Sequence, residues 1–121
     1  MPAYHLAETH VVVVDPPALA KRGRHLPSSA GARDAMGAAL RAYKDLNLRA
    51  LRLLHPGGLL FSCSCSGRVG PAAFGEVLQE AARDARRPVQ LLERRGASPD
   101  HPVLLGLPET EYLKCWVLQA L

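Results

Sequence analysis

The sequence predicts an α/β fold in which a short buried strand runs straight into a functional rim. Three observations predict it. Residues 11–14 are four consecutive valines that stop at Asp15, Pro16 and Pro17. Residues 33–54 repeat apolar side chains every three or four positions, the period of a helix packed on one face. Strand and helix patterns then alternate as far as the last two strands, which no helix separates.

The elements follow in order. A β-branched run without polar alternation reads as a strand buried on both faces, inside a parallel sheet. Pro16 and Pro17 cannot extend it, because each fixes φ and lacks an N–H. Asp15 is thereby placed at the carboxyl end of a central strand, where open α/β sheets bind their ligands. Residues 19–31 contain KRGRHLPSSAG, whose glycine, proline and paired serines argue against regular structure. That segment reads either as a loop on the substrate side of the sheet or as a disordered insertion.

The helix over 33–54 carries Met36, Leu40, Tyr43, Leu46 or Asn47, Ala50 and Leu53/Leu54 along its apolar stripe. Arg41, Lys44, Asp45, Arg49 and Arg52 occupy the other side. His55-Pro56-Gly57-Gly58 is expected to end it, since proline blocks continuation and glycine accepts the left-handed conformation. Residues 58–65, GLLFSCSC, form the next buried strand, closed by Ser66-Gly67. Pro71 suits the first turn of a second helix, striped by Phe74, Val77, Leu78, Ala81, Ala82 and Ala85. Pro88 breaks the chain before a third strand over 89–93. A loop with Gly96, Pro99, Pro102 and Pro108 leads to a fourth strand over 111–119, EYLKCWVLQ. With no helix between them, the last two strands are expected to pair antiparallel.

A chain of 121 residues is the size of one domain. Its 48% hydrophobic and 21% charged residues describe a globular chain and exclude a disordered one. No apolar run approaches the roughly 20 residues of a membrane helix. The start, MPAYHLAETH, lacks the basic-then-apolar order of a signal peptide, so a cytosolic protein with no membrane partner is expected. The net charge of +4 suits an anionic partner, yet small arginine groups also serve simply as solvated helix ends and loops. The three cysteines form no CxxC pair and offer no four-ligand zinc spacing, so no metal is expected. Reduced thiols follow from the expected compartment.

Three segments together resemble one family: VVVVDPPALAK, then RAYKDLNLRALRLLHPGGLLFSCSCSG, then DHPVLLGLPETEYLKC. They are similar to the carboxyl-terminal half of the S-adenosylmethionine-dependent methyltransferases that modify carbon 5 of a cytosine in large-subunit (23S) ribosomal RNA. Members usually carry an RNA-binding PUA domain in front. The resemblance covers residues 9–121, leaving 1–8 as a leader. It implies a Rossmann-like class I sheet of order 3-2-1-4-5-7-6, of which this chain holds the part 4-5-7-6 with its last strand antiparallel. The family's cofactor site lies mostly in the first half of that fold, in a glycine-rich turn after the first strand. Here Gly57-Gly58 and Gly67 to Gly70 stand in the wrong context for that fingerprint. The sequence therefore reads as a partial methyltransferase domain without the cofactor-binding half or the PUA domain, and binding of S-adenosylmethionine to it alone is not expected.

The resemblance also implies a chemistry. Carbon 5 of cytosine is a poor nucleophile until a thiolate adds to carbon 6, and a thiolate is both a good nucleophile and a good leaving group. The family motif ends in Cys-Ser-Gly, which matches Cys65-Ser66-Gly67 and makes Cys65 the candidate nucleophile. Asp15 would hydrogen-bond the cytosine ring and stabilise the charge that develops on addition. Pro16 and Pro17 would present carbonyls to the exocyclic amine. Lys21, Arg22, Arg24 and Arg68 would hold RNA phosphates, with Ser66 at the substrate side. Lys44, Asp100, His101, Glu111 and Lys114 match family segments without an assigned role. From the residues alone, Cys63 and Cys65 also read as small buried hydrophobes, as does Cys115.

Two other readings compete. In amino-group methylation an aromatic residue follows DPP to stack on the base; Ala18 cannot stack, and the thiol would have no task. The other is a non-catalytic half-domain, with residual RNA affinity, that self-associates. A valine strand without its neighbours is an apolar edge, which favours a homodimer or higher oligomer.

Overall fold

The computed structural model describes residues 9–19, 29–107 and 110–121, with residues 29–33 described through their backbone alone. The elements are β1 (Thr9–Val14), α1 (Ser29–Leu53), β2 (Leu54–Ser64), α2 (Pro71–Ala85), β3 (Val89–Arg95) and β4 (Lys114–Ala120). The strands form one sheet in the order β1-β2-β4-β3. β1 and β2 are parallel, whereas β4 runs antiparallel to both β2 and β3. This is the 4-5-7-6 portion of the expected sheet, with the antiparallel last strand in place.

The core lies between the sheet and its two helices. Tyr43 and Leu51 of α1, Leu54 and Leu60 of β2, Phe74 and Ala81 of α2, and Ala120 of β4 are all completely buried. The Phe74 ring stands edge-on to Tyr43 at 6.4 Å and to Trp116 at 5.3 Å, so three elements meet at one aromatic side chain. Gly75 lets α2 come this close, because a Cβ there would meet the Trp116 ring at 3.3 Å.

Two sequence expectations change. His55-Pro56-Gly57-Gly58 reads in the sequence as a helix terminator that precedes the strand, but these residues are part of β2. They form an irregularity opposite β1, where the pairing shifts between Thr9↔Leu54 and Val11↔Leu59. Gly57 sits at φ +88°, and a Cβ on Gly58 would meet the carbonyls of His55 and His10 at 2.8 and 3.0 Å. The helix is closed instead from outside, by Arg87. Its guanidinium donates to the carbonyls of Leu51 and Leu54 at 2.8 and 2.7 Å.

The valine strand also differs from a strand buried on both faces. Val12 and Val14 pack on the core, but Val11 and Val13 are 53% and 63% exposed. β1 is an edge strand, and the face opposite the helices is open there.

Other arginines prove structural as well. Arg94 stacks over Trp116 at 4.9 Å, and Arg95 pairs with Glu93 at 2.9 Å. Between the helices, Lys44 bonds Asp84 at 2.6 Å. Among the described residues no helix is long and apolar enough to cross a membrane.

Candidate active site at the strand ends

Asp15 follows β1 by one residue, and Cys65 follows β2 by one residue. The two strands are parallel neighbours with Val14 opposite Ser62, so both residues come to the same end of the sheet. Asp15 and Pro17 are exposed, and Pro16 and Cys65 are half-buried. Ser66 is buried, and Arg68 is exposed on the turn that follows. Lys21, Arg22 and Arg24, the other expected phosphate contacts, lie outside the described residues, as do residues 1–8.

The Ser-Cys-Ser-Cys-Ser alternation of residues 62–66 sorts side chains by face. Ser62, Ser64 and Ser66 are buried, the first two against α1, and the half-buried Cys63 and Cys65 alternate with them. Cys63 meets Cys115 directly across the β2–β4 ladder, with sulfurs 3.2 Å apart.

The serines belong to a polar network that the helical pattern only hinted at. Ser62 Oγ donates to Asn47 Oδ1 at 2.6 Å, and Asn47 Nδ2 donates to the Tyr43 carbonyl at 2.7 Å. Ser64 Oγ donates to the Tyr43 hydroxyl at 3.1 Å, and the Leu19 N–H reaches the same hydroxyl at 3.5 Å. The Ser66 N–H donates to Ser64 Oγ at 3.3 Å. Tyr43 thus ties the segment after Asp15 to the end of the strand that leads into Cys65. Asn47 carried the usable signal: a polar residue within an apolar stripe needs a buried partner.

Lys114 is a second residue that had no assigned role. It is only 6% exposed, and its Nζ donates to the carbonyls of Ser66 and Tyr112 at 3.1 and 2.8 Å. Burial pulls its pKa below the usual lysine range, while the nearby Glu111 carboxylate acts in the opposite direction.

Cys63 is in a different state. Burial pushes its thiol up to about 12, helped by the Cys115 sulfur and then by the Asp15 carboxylate. We expect Cys63 to react with iodoacetamide at neutral pH on the order of 10³-fold more slowly than a free cysteine. Peptide-resolved mass spectrometry of the labelled chain checks this, and labelling at the free-thiol rate would refute it. The linkage has a definite sign. An unfolded chain loses this proton near 9.0, before the folded one does, so stability falls as pH rises from there toward about 12.

A groove of about 420 Å³ between α2, β3 and β4 is lined by Trp116, Arg94, Glu76 and Gly75, and includes neither Asp15 nor Cys65. Glycines at the strand ends form no phosphate cradle among the described residues. Gly70 has open space where its Cβ would be, and Gly67 only ordinary contact with Tyr112 at 3.7 Å. The described residues therefore do not fit a dinucleotide-type cofactor turn.

No protein-family model matches the chain. Over 104 residues it is 41% identical to a protein named ribosomal RNA large subunit methyltransferase I from Shewanella frigidimarina. That match takes in 86% of this chain and 24% of the relative, so the chain spans about a quarter of the relative's length. In structure, the chain is similar to SMU.776, provisionally described as a methyltransferase and crystallised with SAH. The TM-score is 0.68 at 16% identity, over 91% of this chain and 26% of that one. A Thermus thermophilus protein, provisionally described as a DNA modification methylase and complexed with S-adenosyl-L-methionine, gives 0.50 at 18% identity, over 94% and 48%. These likenesses show the fold alone: a portion of a Rossmann-like α/β sheet.

Proposed function

We propose that residues 9–121 are the catalytic-motif part of an S-adenosylmethionine-dependent methyltransferase acting on carbon 5 of a cytosine in large-subunit ribosomal RNA. The observation that carries this reading is the placement of Asp15 and Cys65 just past the ends of two adjacent parallel strands. The relative's name supports an RNA substrate of this class. In the full-length protein the reading includes an RNA-binding PUA domain ahead of the methyltransferase fold, and a cytoplasmic location.

The chain's own residues handle the base. The Cys65 thiolate forms a bond to carbon 6 of the cytosine, and carbon 5 becomes nucleophilic. Asp15 hydrogen-bonds the ring and stabilises the charge that develops as the bond forms. Once carbon 5 has gained its methyl group it loses its proton, the sulfur–carbon 6 bond breaks, and the thiolate returns. S-adenosylmethionine supplies the methyl group when bound. No described residue is assigned to hold it. Pro16 and Pro17 would shape the pocket at the exocyclic amine, with Ser66 beneath it. Arg68, with Lys21, Arg22 and Arg24, would hold phosphates.

RNA containing 5-fluorocytosine tests the reading, because fluorine in place of the carbon 5 proton prevents release of the sulfur. A full-length protein carrying this sequence, incubated with that RNA and S-adenosylmethionine, should give a covalent adduct that survives denaturing electrophoresis. Absence of the adduct would overturn the assignment.

A second reading, self-association of the isolated chain, is favoured by one observation. Val11 and Val13 are exposed on edge strand β1, beside the half-buried Leu59 and Phe61 of β2. We expect the 121-residue chain to sediment as a homodimer or larger at micromolar concentration, and Val13→Lys to shift it to monomer. A wild-type monomer under those conditions rules this out.

A further inference from the structure

We propose that Cys63 and Cys115 are a reversible oxidation site, a dithiol across the β2–β4 ladder that a hydroperoxide closes into a disulfide. The inference stands on the placement of these two thiols and is independent of the role given to Cys65.

The geometry starts at the ladder. β2 and β4 run antiparallel, with Cys63 directly opposite Cys115. Residues opposed in this way have Cα atoms about 4.5–5.5 Å apart, inside the roughly 4.4–6.8 Å that a disulfide spans. The two side chains already meet, their sulfurs 3.2 Å apart across 52 positions of sequence. A bond needs about 2.0 Å, which side-chain rotation supplies while the backbone stays in register. Ser62 and Ser64, on either side of Cys63, turn to α1. Alternation along the strand therefore puts Cys63 on the other face, away from the helices. Both thiols are half-buried, so neither is sealed within the core. Cys65 lies past Ser64↔Lys114, the last pair of the ladder. The register thus selects Cys63, and not Cys65, as the partner of Cys115.

The oxidation balances with hydrogen peroxide as the hydroperoxide. One thiolate attacks a peroxide oxygen, the O–O bond breaks, and the sulfur becomes a sulfenic acid as hydroxide leaves. The other sulfur attacks the sulfenic sulfur; the S–S bond forms, and the S–O bond breaks to release a second hydroxide. The two thiol protons convert both hydroxides to water. Two thiols have then lost two electrons, and one peroxide has been reduced to two waters. Burial pushes the Cys63 thiol up to about 12, which suits Cys63 to the second step, where proximity does most of the work. In a reducing compartment a small thiol reopens the bond by exchange, so the site responds to oxidant and does not hold the fold permanently. Closed, the bond staples β2 to β4 two residues before Cys65.

The test exposes the folded chain to hydrogen peroxide, blocks the remaining thiols with iodoacetamide in denaturant, and digests it without reductant. Mass spectrometry should find the Cys63 and Cys115 peptides joined and lighter by two hydrogens. Fragment ions should place the link on Cys63 at least about tenfold more often than on Cys65. Dithiothreitol should reverse it, and a non-reducing denaturing gel should show the link within single chains. Cys65→Ser should keep the link and Cys63→Ser should abolish it; if either variant fails to fold, the fragment ions of the wild-type chain decide. The oxidised wild-type chain should also unfold at a higher urea concentration than the reduced one, because the bond closes a long loop in the unfolded state. A link through Cys65, a link between chains, or oxidation of either sulfur to a sulfinic acid without any link overturns the proposal. An equal or lower urea midpoint for the oxidised chain overturns the staple.

Discussion

Replacing Cys65 with alanine should remove the 5-fluorocytosine adduct and lower methylation by a full-length protein by about 10⁴-fold or more. The reason lies in the uncatalysed alternative. Without a sulfur at carbon 6, carbon 5 has no route to sufficient nucleophilicity, and positioning alone recovers little of the loss. Cys63 cannot take over, although it is only two residues away. Its thiol is pushed up to about 12 and faces Cys115. Cys63→Ala should therefore leave the adduct intact. Radiolabelled methyl incorporation and gel-shifted adduct, measured on both variants, separate the two thiols. An adduct that survives Cys65→Ala would sink the nucleophile assignment.

Phe74→Ala should destabilise the chain by about 3–5 kcal/mol, the range for removing a fully buried aromatic ring. Phe74 has no exposed surface and lies between Tyr43 of α1 and Trp116 of β4, edge-on to both. Alanine would leave a cavity where α1, α2 and the sheet meet, and Tyr43 would lose one of the walls that orient its hydroxyl. A loss of this size is a large share of the roughly 5–15 kcal/mol that holds a typical domain. Urea titration followed by circular dichroism should show a much lower midpoint with an unchanged slope. A midpoint close to wild type would mean that the helix–sheet interface closes over the gap. Because the Tyr43 hydroxyl receives both Ser64 and Leu19, the substitution should loosen the strand ends as well.

Much of the fold was legible because its signals are local. The valine run, the helical stripe of 33–54 and the stripe from Phe74 to Ala85 each report a period, and a period is set by neighbours in sequence. The prolines after Val14 and the missing helix between β3 and β4 gave the rim and the antiparallel pairing for the same reason. Boundaries were less legible. The strand reaches back through His55-Pro56-Gly57-Gly58, because β1 pairs on that side and tolerates an irregularity there. Proline and glycine spoke against a strand locally, and tertiary pairing overrode them.

The candidate site divides along the same line. Asp15 could be singled out because it sits where a strand pattern stops, and Cys65 because Cys65-Ser66-Gly67 matches the motif of the family the sequence resembles. Tyr43, Asn47 and Lys114 could not be given roles, because each acts on a residue contributed by another element. Asn47 meets Ser62 across 15 positions, Tyr43 meets Ser64 across 21, and Lys114 meets Ser66 across 48. No periodicity encodes such a meeting.

By itself, the sequence determined the kinds of element, their order, and which strand ends carry an acid and a thiol. Those depend on backbone preference and burial pattern, which act over a few residues. Only the tertiary structure decided that Val11 and Val13 lie on an open face, that Cys63 turns to another thiol, and that a buried ammonium stands at the turn after Cys65. Each of these depends on which surfaces the sheet brings together, and a side chain's charge and reactivity are set by that company.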